Sequence, residues 1–396
     1  MWLFLITRAL PFVLLVAVYY KERLAFIPFI CIWQKAWELY NVRYFSLPKD
    51  LEAWQNPDSD HAKRKEVGEA WMKLRPFFAS RGYTLYDKVP GQELIFPPSS
   101  PKPASANHQT PPHARRIPGD ENPSVFYSSS VVWAARDQIG REVVIKLVSE
   151  KGIPSTEWLI LQELNREPLR SHPHNHTIHV LDHLVFEKFV FVVMPRWDIS
   201  TLPPFATVSE LLHFSQTWFE ALDFLHEQSI AHQDIFYKNT AINAFGSFDA
   251  FCSQPGLRNA GEVQYALYDF GHSLRYPRGT DISTVSVNRF IRFHDGSTPD
   301  GPYNPFMVDV KMLGDMLNST VVEGFENNPM QRPLARQALT DFFALMSSLD
   351  ETQIKETVAI KQTSCQKSKE GRKPGETILQ ELRRCMNKAK EVRPNK

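Results

Sequence analysis

The sequence predicts an α+β fold in two parts: a β-rich portion over 124–195 and a larger helical portion over 196–396. Three observations lead there. Strand signals cluster between Val125 and Met194. Helical spacing of apolar residues takes over from Glu210 to His226, with Leu211, Leu212, Phe214, Trp218, Leu222 and Leu225. A lysine, a glutamate, two aspartates and an asparagine stand at ordered places along both stretches.

Composition narrows the class. Across 396 residues, 45 basic side chains nearly balance 44 acidic ones, which points away from a nucleic-acid partner. Cys31, Cys252, Cys365 and Cys385 are scattered, so the pattern predicts neither a disulfide framework nor a zinc site and suits a reducing compartment.

Taken in order, residues 1–45 open with the most apolar run of the chain. Met1–Tyr20 is broken only by Thr7, Arg8 and Pro11, and Leu24–Trp33 is apolar again. A spanning helix needs about 20 apolar residues. Tyr19-Tyr20-Lys21 ends the first run without a small-x-small cleavage site, which argues against a secretory signal. Residues 1–33 are therefore a candidate membrane anchor, with Lys21 and Arg23 keeping the remainder on the cytoplasmic side. An apolar helix packed on the protein is the alternative.

Residues 46–96 read as a helical extension. Ser59 caps a helix whose apolar face is Val67, Trp71, Leu74 and Phe78, with Pro76 a kink or an early end. Residues 97–123 read as a linker. Eight of these 27 residues are proline and no apolar period survives, so the segment is expected to be extended or disordered and to bury no core.

Val125–Tyr127 and Val131–Ala134 flank Ser128–Ser130 as a strand pair, and Glu142–Val148 is a further strand after the turn Asp137–Gly140. Ser155-Thr156-Glu157 opens a helix carrying Ile160, Leu161 and Leu164. Five histidines between Ser171 and His183 stand on an extended loop without a metal-ligand geometry. Phe189–Met194 is a buried strand, followed by Pro195-Arg196-Trp197-Asp198.

The stretch Ala231-His-Gln-Asp-Ile-Phe-Tyr-Lys-Asn239, followed by Tyr268-Asp269-Phe270-Gly271, resembles the catalytic loop and the Asp-Phe-Gly motif of the protein-kinase-like family, in a divergent, fungal-type form. Val143-Val144-Ile145-Lys146 resembles the strand whose lysine grips phosphates, and Val308-Asp309-Val310-x-x-Leu313-Gly314 resembles the central helix of the kinase C-lobe. The motifs cover about residues 124–385, and their order is the specific part.

The resemblance implies a two-lobed kinase fold that binds ATP and Mg²⁺ between its lobes. Asp234 would orient the acceptor hydroxyl, Asn239 and Asp269 would hold Mg²⁺, Lys146 would grip the phosphates, and Glu157, preferred over Glu163, would orient Lys146. Val132, Met194, Pro195 and Trp197 would border the nucleotide, Pro195 through its carbonyl and Trp197 through its amide. Lys238 would reach the transferred phosphate. The implied activity is transfer to a protein hydroxyl, serine or threonine more than tyrosine. A pseudokinase that binds nucleotide as an interaction module is the alternative, and a small-molecule kinase the third.

Several positions depart from the family pattern. Counting back from Val132, the three glycine places of the phosphate-covering turn hold Val125, Tyr127 and Ser130. Gln233 replaces the arginine that binds a phosphorylated activation segment, and Phe236 stands where a lysine is usual. Ala244–Gly261 reads as an inserted loop. Gly301–Pro305 stands in for Ala-Pro-Glu, and Arg372 is the favoured late arginine.

Overall fold

A strand that is apolar at every position has to be covered on both faces. Phe189–Pro195 is buried throughout. Val190, Val192 and Met194 join one core, while Phe189, Phe191 and Val193 join another. The computed structural model describes residues 47–348 except 56–60, 89–93, 105–109, 118–124, 127–129, 247–249, 252–253, 255, 294–295, 300 and 321–333. The candidate anchor over 1–33 and the assignment of Arg372 lie outside the described residues. Among the described residues, no helix is long and apolar enough to cross a membrane.

The elements in chain order are α1 (Leu51–Gln55), α2 (His61–Ser80), β1 (Thr84–Leu85), β2 (Asp87–Lys88), β3 (Leu94–Phe96), β4 (Arg115–Arg116), β5 (Val125–Phe126), β6 (Val132–Arg136), β7 (Glu142–Glu150), α3 (Thr156–Leu164), β8 (Asp182–Phe186), β9 (Phe189–Pro195) and β10 (Asp198–Ile199). Then come α4 (Val208–Glu227), β11 (Ile230–Ala231), β12 (Thr240–Ile242), β13 (Ala244–Phe245), β14 (Tyr265–Leu267), β15 (Leu274–Arg275), α5 (Pro305–Thr320) and α6 (Ala335–Ser347). The architecture is mixed α+β. Its largest sheet is antiparallel, in the order β1-β6-β7-β9-β8.

One face of that sheet is covered by the N-terminal extension. The four residues that set the helical period of α2, Val67, Trp71, Leu74 and Phe78, are all buried. Trp71 stacks on Trp133 at 5.8 Å, meets the edge of Phe191 at 5.7 Å, and donates its indole N–H to Ser130 O at 2.8 Å. Pro76 stands inside α2 without ending it, since the helix runs on to Ser80. The other face carries α3, whose N-cap Ser155 accepts from Trp158 N at 3.1 Å and which buries Ile160, Leu161 and Leu164. Helices α4, α5 and α6 pack together around the core that takes Val190, Val192 and Met194.

Two expectations are corrected. Val125–Phe126 does not pair with the Val132 strand. It pairs with β3, and the edge of β6 is taken by β1, with Leu85 opposite Ala135 and Tyr86 N donating to Ala134 O at 2.9 Å. An edge already filled by a chain segment some fifty residues earlier cannot accept the local hairpin.

The proline-rich stretch also buries core. Ile117 is buried among the helix-side residues, and β4 runs parallel to β13. Proline lacks an N–H but keeps its carbonyl. Pro98 O and Pro101 O accept from Arg136 Nη1 at 3.1 and 3.2 Å, and Pro112 O accepts from Trp197 Nε1 at 2.9 Å. The partners that satisfy these carbonyls lie tens of residues further along the chain, so no local periodicity betrays them. The inserted Ala244–Gly261 stretch behaves alike: Phe251 and Arg258 are buried, and Arg258 Nη2 donates to Ser200 O at 2.7 Å.

Candidate functional site

Alternation along β7 decides where its lysine points. Val143, Ile145 and Leu147 enter the core under α2, so Lys146 and Val148 face the other way, toward α3 and the helices. Val132 lies directly opposite Lys146 in the antiparallel register and shares its face. Lys146 Nζ is 2.6 Å from Glu157 Oε1 on α3 and 2.8 Å from Asp269 Oδ1. Glu163 instead meets Arg275 and Arg278, at 2.7 and 3.0 Å. The helix thus presents Glu157, and not Glu163, to the lysine.

The turn after β11 is held by one buried carboxylate. Asp309, on α5, accepts from His232 N and Gln233 N, each at 2.7 Å, and lies 3.2 Å from His226 Nε2. Gln233 has a left-handed backbone, φ 67°, and its side chain turns inward to donate to Pro305 O at 2.7 Å. Asp234 then emerges half-buried, with Asn239 Nδ2 donating to its Oδ2 at 2.7 Å and to its backbone O at 2.9 Å. Tyr268 N donates to Asn239 O at 3.1 Å, which sets Asp269 next to the asparagine.

Asp269 is also left-handed, φ 65°, and accepts from Gly271 N at 3.3 Å. A Cβ on Gly271 would lie 3.2 Å from Asp269 Oδ1, so the glycine leaves room for the carboxylate. His232 Nε2 is 3.1 Å from Tyr268 O and its ring packs on Phe270 at 5.0 Å, tying the two loops together.

The electrostatics favour charge on Lys146 and Asp269, while burial raises Glu157. Burial works against ionisation of Asp269, but the Lys146 ammonium and the Gly271 amide outweigh it and hold the carboxyl at about 2. Burial also works against the charge of Lys146, and Glu157 and Asp269 overcome it, keeping the ammonium protonated. His232 is lowered, chiefly by burial, with the nearby carboxylates pulling the other way.

The remaining sequence-derived positions are distributed as follows. Met194 is buried on the same side of β9 as Val192. Pro195 ends that strand opposite Val143, and Arg196 N donates to Glu142 O at 3.2 Å. Trp197 packs against the helix-side core. Lys238 is exposed, with its Nζ 5.9 Å from the Tyr237 ring centre, and the structure does not bring that ammonium to Asp234.

Sequence reasoning missed a buried polar cluster beside this segment. Arg136 Nε is 2.7 Å from Glu142 Oε1, Arg196 Nη1 donates to Tyr86 OH at 2.9 Å, and Tyr86 OH donates to Glu142. No local pattern links residues so far apart in the chain.

Among the described residues, no group of three or more His, Cys, Asp or Glu could hold a metal by itself. Asp269 and Asn239 supply oxygen donors only. That suits Mg²⁺, which takes one or two protein carboxylates and completes its shell with water and phosphate. The histidine-rich loop is used in packing: His172 stacks on Phe224 at 4.8 Å, and His176 Nε2 is 3.2 Å from Glu220. Comparison with protein-family models and with curated proteins finds no match.

Proposed function

We propose that the protein is an ATP-dependent phosphotransferase with a two-lobed, protein-kinase-like fold, acting on a protein hydroxyl, serine or threonine more than tyrosine. The observation that carries this reading is the double contact of Lys146 with Glu157 and Asp269, set beside the Asp234–Asn239 pair. Three segments far apart in the chain converge on one charged centre of the kind that phosphoryl transfer needs.

Each residue then has a task. Lys146, oriented by Glu157, neutralises phosphate charge. Asp269 and Asn239 would hold Mg²⁺, which supplies charge neutralisation on the phosphates. Asp234 orients the acceptor hydroxyl and accepts its proton. The hydroxyl oxygen forms a bond to the γ-phosphorus of ATP, the bond to the β–γ bridging oxygen breaks, and that oxygen leaves with ADP. Val132 and Met194 offer apolar contact to the base.

The test is purified protein with labelled ATP, Mg²⁺ or Mn²⁺, and generic protein substrates. Wild type should transfer label, and Asp234→Asn should reduce turnover by about 10²–10⁴-fold while Mg-ATP binding persists. Asp269→Asn should weaken Mg-ATP binding as well. Wild type no faster than Asp234→Asn on every substrate removes the reading.

One observation favours a second reading, a nucleotide-binding pseudokinase. The strand pair that would carry the phosphate-covering turn is not formed by Val125–Ala134, because β5 pairs elsewhere. Under that reading Mg-ATP raises the melting temperature but no label is transferred.

A further inference from the structure

Beside Asp234 lies a cavity of about 240 Å³, bordered by Gln233, His272, Arg289, Arg292 and Tyr303. Its shape is fixed by the surrounding chain. Val287 and Tyr303 exchange both backbone hydrogen bonds, at 2.9 and 3.0 Å, closing the segment between them into a loop. Tyr303 OH donates to Gln233 Oε1 at 3.3 Å, joining that loop to the turn that presents Asp234. Phe293 is buried beneath it, with Lys311 Nζ 4.4 Å from its ring centre.

The charge within is lopsided. Arg289 Nη1 donates to the backbone carbonyl of His272 at 3.0 Å, a neutral acceptor that does not cancel its charge. Among the described residues neither Arg289 nor Arg292 has an acidic partner. Among the described residues Asp234 is the only carboxylate on the cavity wall, and Asn239 already donates to it. Phe290, 82% exposed, adds an apolar rim.

Resting on the phosphotransferase reading, we propose that this cavity is the seat of the acceptor segment and selects an acidic one, with an Asp or Glu side chain within about two residues of the acceptor hydroxyl. An acceptor chain that puts its hydroxyl on Asp234 must lay its neighbouring side chains across this wall. Guanidinium groups recognise carboxylates through paired, charge-assisted hydrogen bonds. A lysine in the same place would be repelled, so the site excludes basic segments as well as drawing in acidic ones.

The test uses the full chain and three serine peptides that differ only beside the serine, carrying Glu, Ala or Lys. Wild type should show kcat/KM for the Glu peptide about tenfold above the Ala peptide, mostly through KM, with the Lys peptide slowest. Arg289→Ala with Arg292→Ala should abolish the difference between Glu and Ala peptides. Arg289→Glu with Arg292→Glu should invert it in favour of Lys, a reversal that mere loss of structure would not produce.

Equal rates for all three peptides on wild type, or a preference for Lys, overturn the inference while leaving the phosphotransferase reading intact. If no peptide is phosphorylated, that reading fails, and fluorescence anisotropy decides the cavity: tighter binding of the Glu peptide, lost in the double alanine variant, sustains the anion site, and equal binding removes it. The arginines could instead serve a phosphate on the chain's own Thr280, Ser283, Thr284 or Ser286. Loss of the Glu preference on changing those four to Ala overturns the proposal in favour of that role.

Discussion

The floor of the candidate site and the edge above it are built on opposite plans. The floor is a set of charges close in space and held by a few buried groups: Asp309 accepts from both amides of the turn that carries Asp234, and the Gln233 side chain fastens that turn to Pro305 O. The edge is a long detour of chain, running from β1 through β4 to β6, fastened by carbonyls and a buried arginine–glutamate–tyrosine cluster. A function that depends on charge needs particular side chains at particular points. A boundary needs only to be filled and fastened, and many segments can do that.

The sharpest break is at the floor. Lys146→Met leaves Glu157 buried with no counter-charge and frees Asp269. It should cost about 3–5 kcal/mol in denaturant unfolding, as removal of one partner of a buried ion pair does. Asp309→Ala strands the amides of His232 and Gln233, each an unmet buried donor worth about 1–3 kcal/mol. Its melting temperature should fall and the proposed phosphotransfer fall further, because the turn that carries Asp234 loses its buried acceptor. A variant that keeps full activity would show that the turn is held by something else.

At the edge the losses should be smaller and should spare the chemistry. Gly140 has φ 86°, and a Cβ there would lie 1.8 Å from Lys102 O. Gly140→Ala must therefore displace the proline-rich stretch, at a cost of about 1–3 kcal/mol. Tyr86→Phe removes the hydroxyl between Arg196 and Glu142 and should cost about 1–3 kcal/mol. If either variant abolishes nucleotide binding, the edge is part of the site and the contrast fails.

His113 gives a pH handle on the same edge. It is buried, and its Nδ1 has no hydrogen-bond partner among the described residues. Burial first, and the Arg141 charge second, lower it to about 4 from an ordinary value of about 6.5. Between those values the unfolded chain binds more protons than the folded one, so stability falls as pH drops from about 6.5 to about 4 and levels off below. Hydrogen exchange over residues 110–117, corrected for intrinsic rate, should quicken at pH 5 relative to pH 7, and His113→Phe should remove the step. The smallest effect is at the surface. Arg275→Ala breaks an exposed pair with Glu163 and should cost less than about 1 kcal/mol.

Much of the floor was legible in the chain itself. A strand's two-residue period puts Lys146 on one face, a helix that starts at Ser155 puts Glu157 in its first turn, and short loops fix Asp234 against Asn239 and Asp269 against Gly271. The helix of the extension was legible for the same reason, since Val67, Trp71, Leu74 and Phe78 encode their face by spacing alone. These are local constraints, and periodicity records them. Which strand lies on the open edge of β6, which donors satisfy the proline carbonyls, and that Gln233 turns inward to Pro305 were decided only in three dimensions. Each depends on hydrogen-bond partners far away in sequence, and a backbone carbonyl or an edge strand carries no mark of which distant donor will reach it.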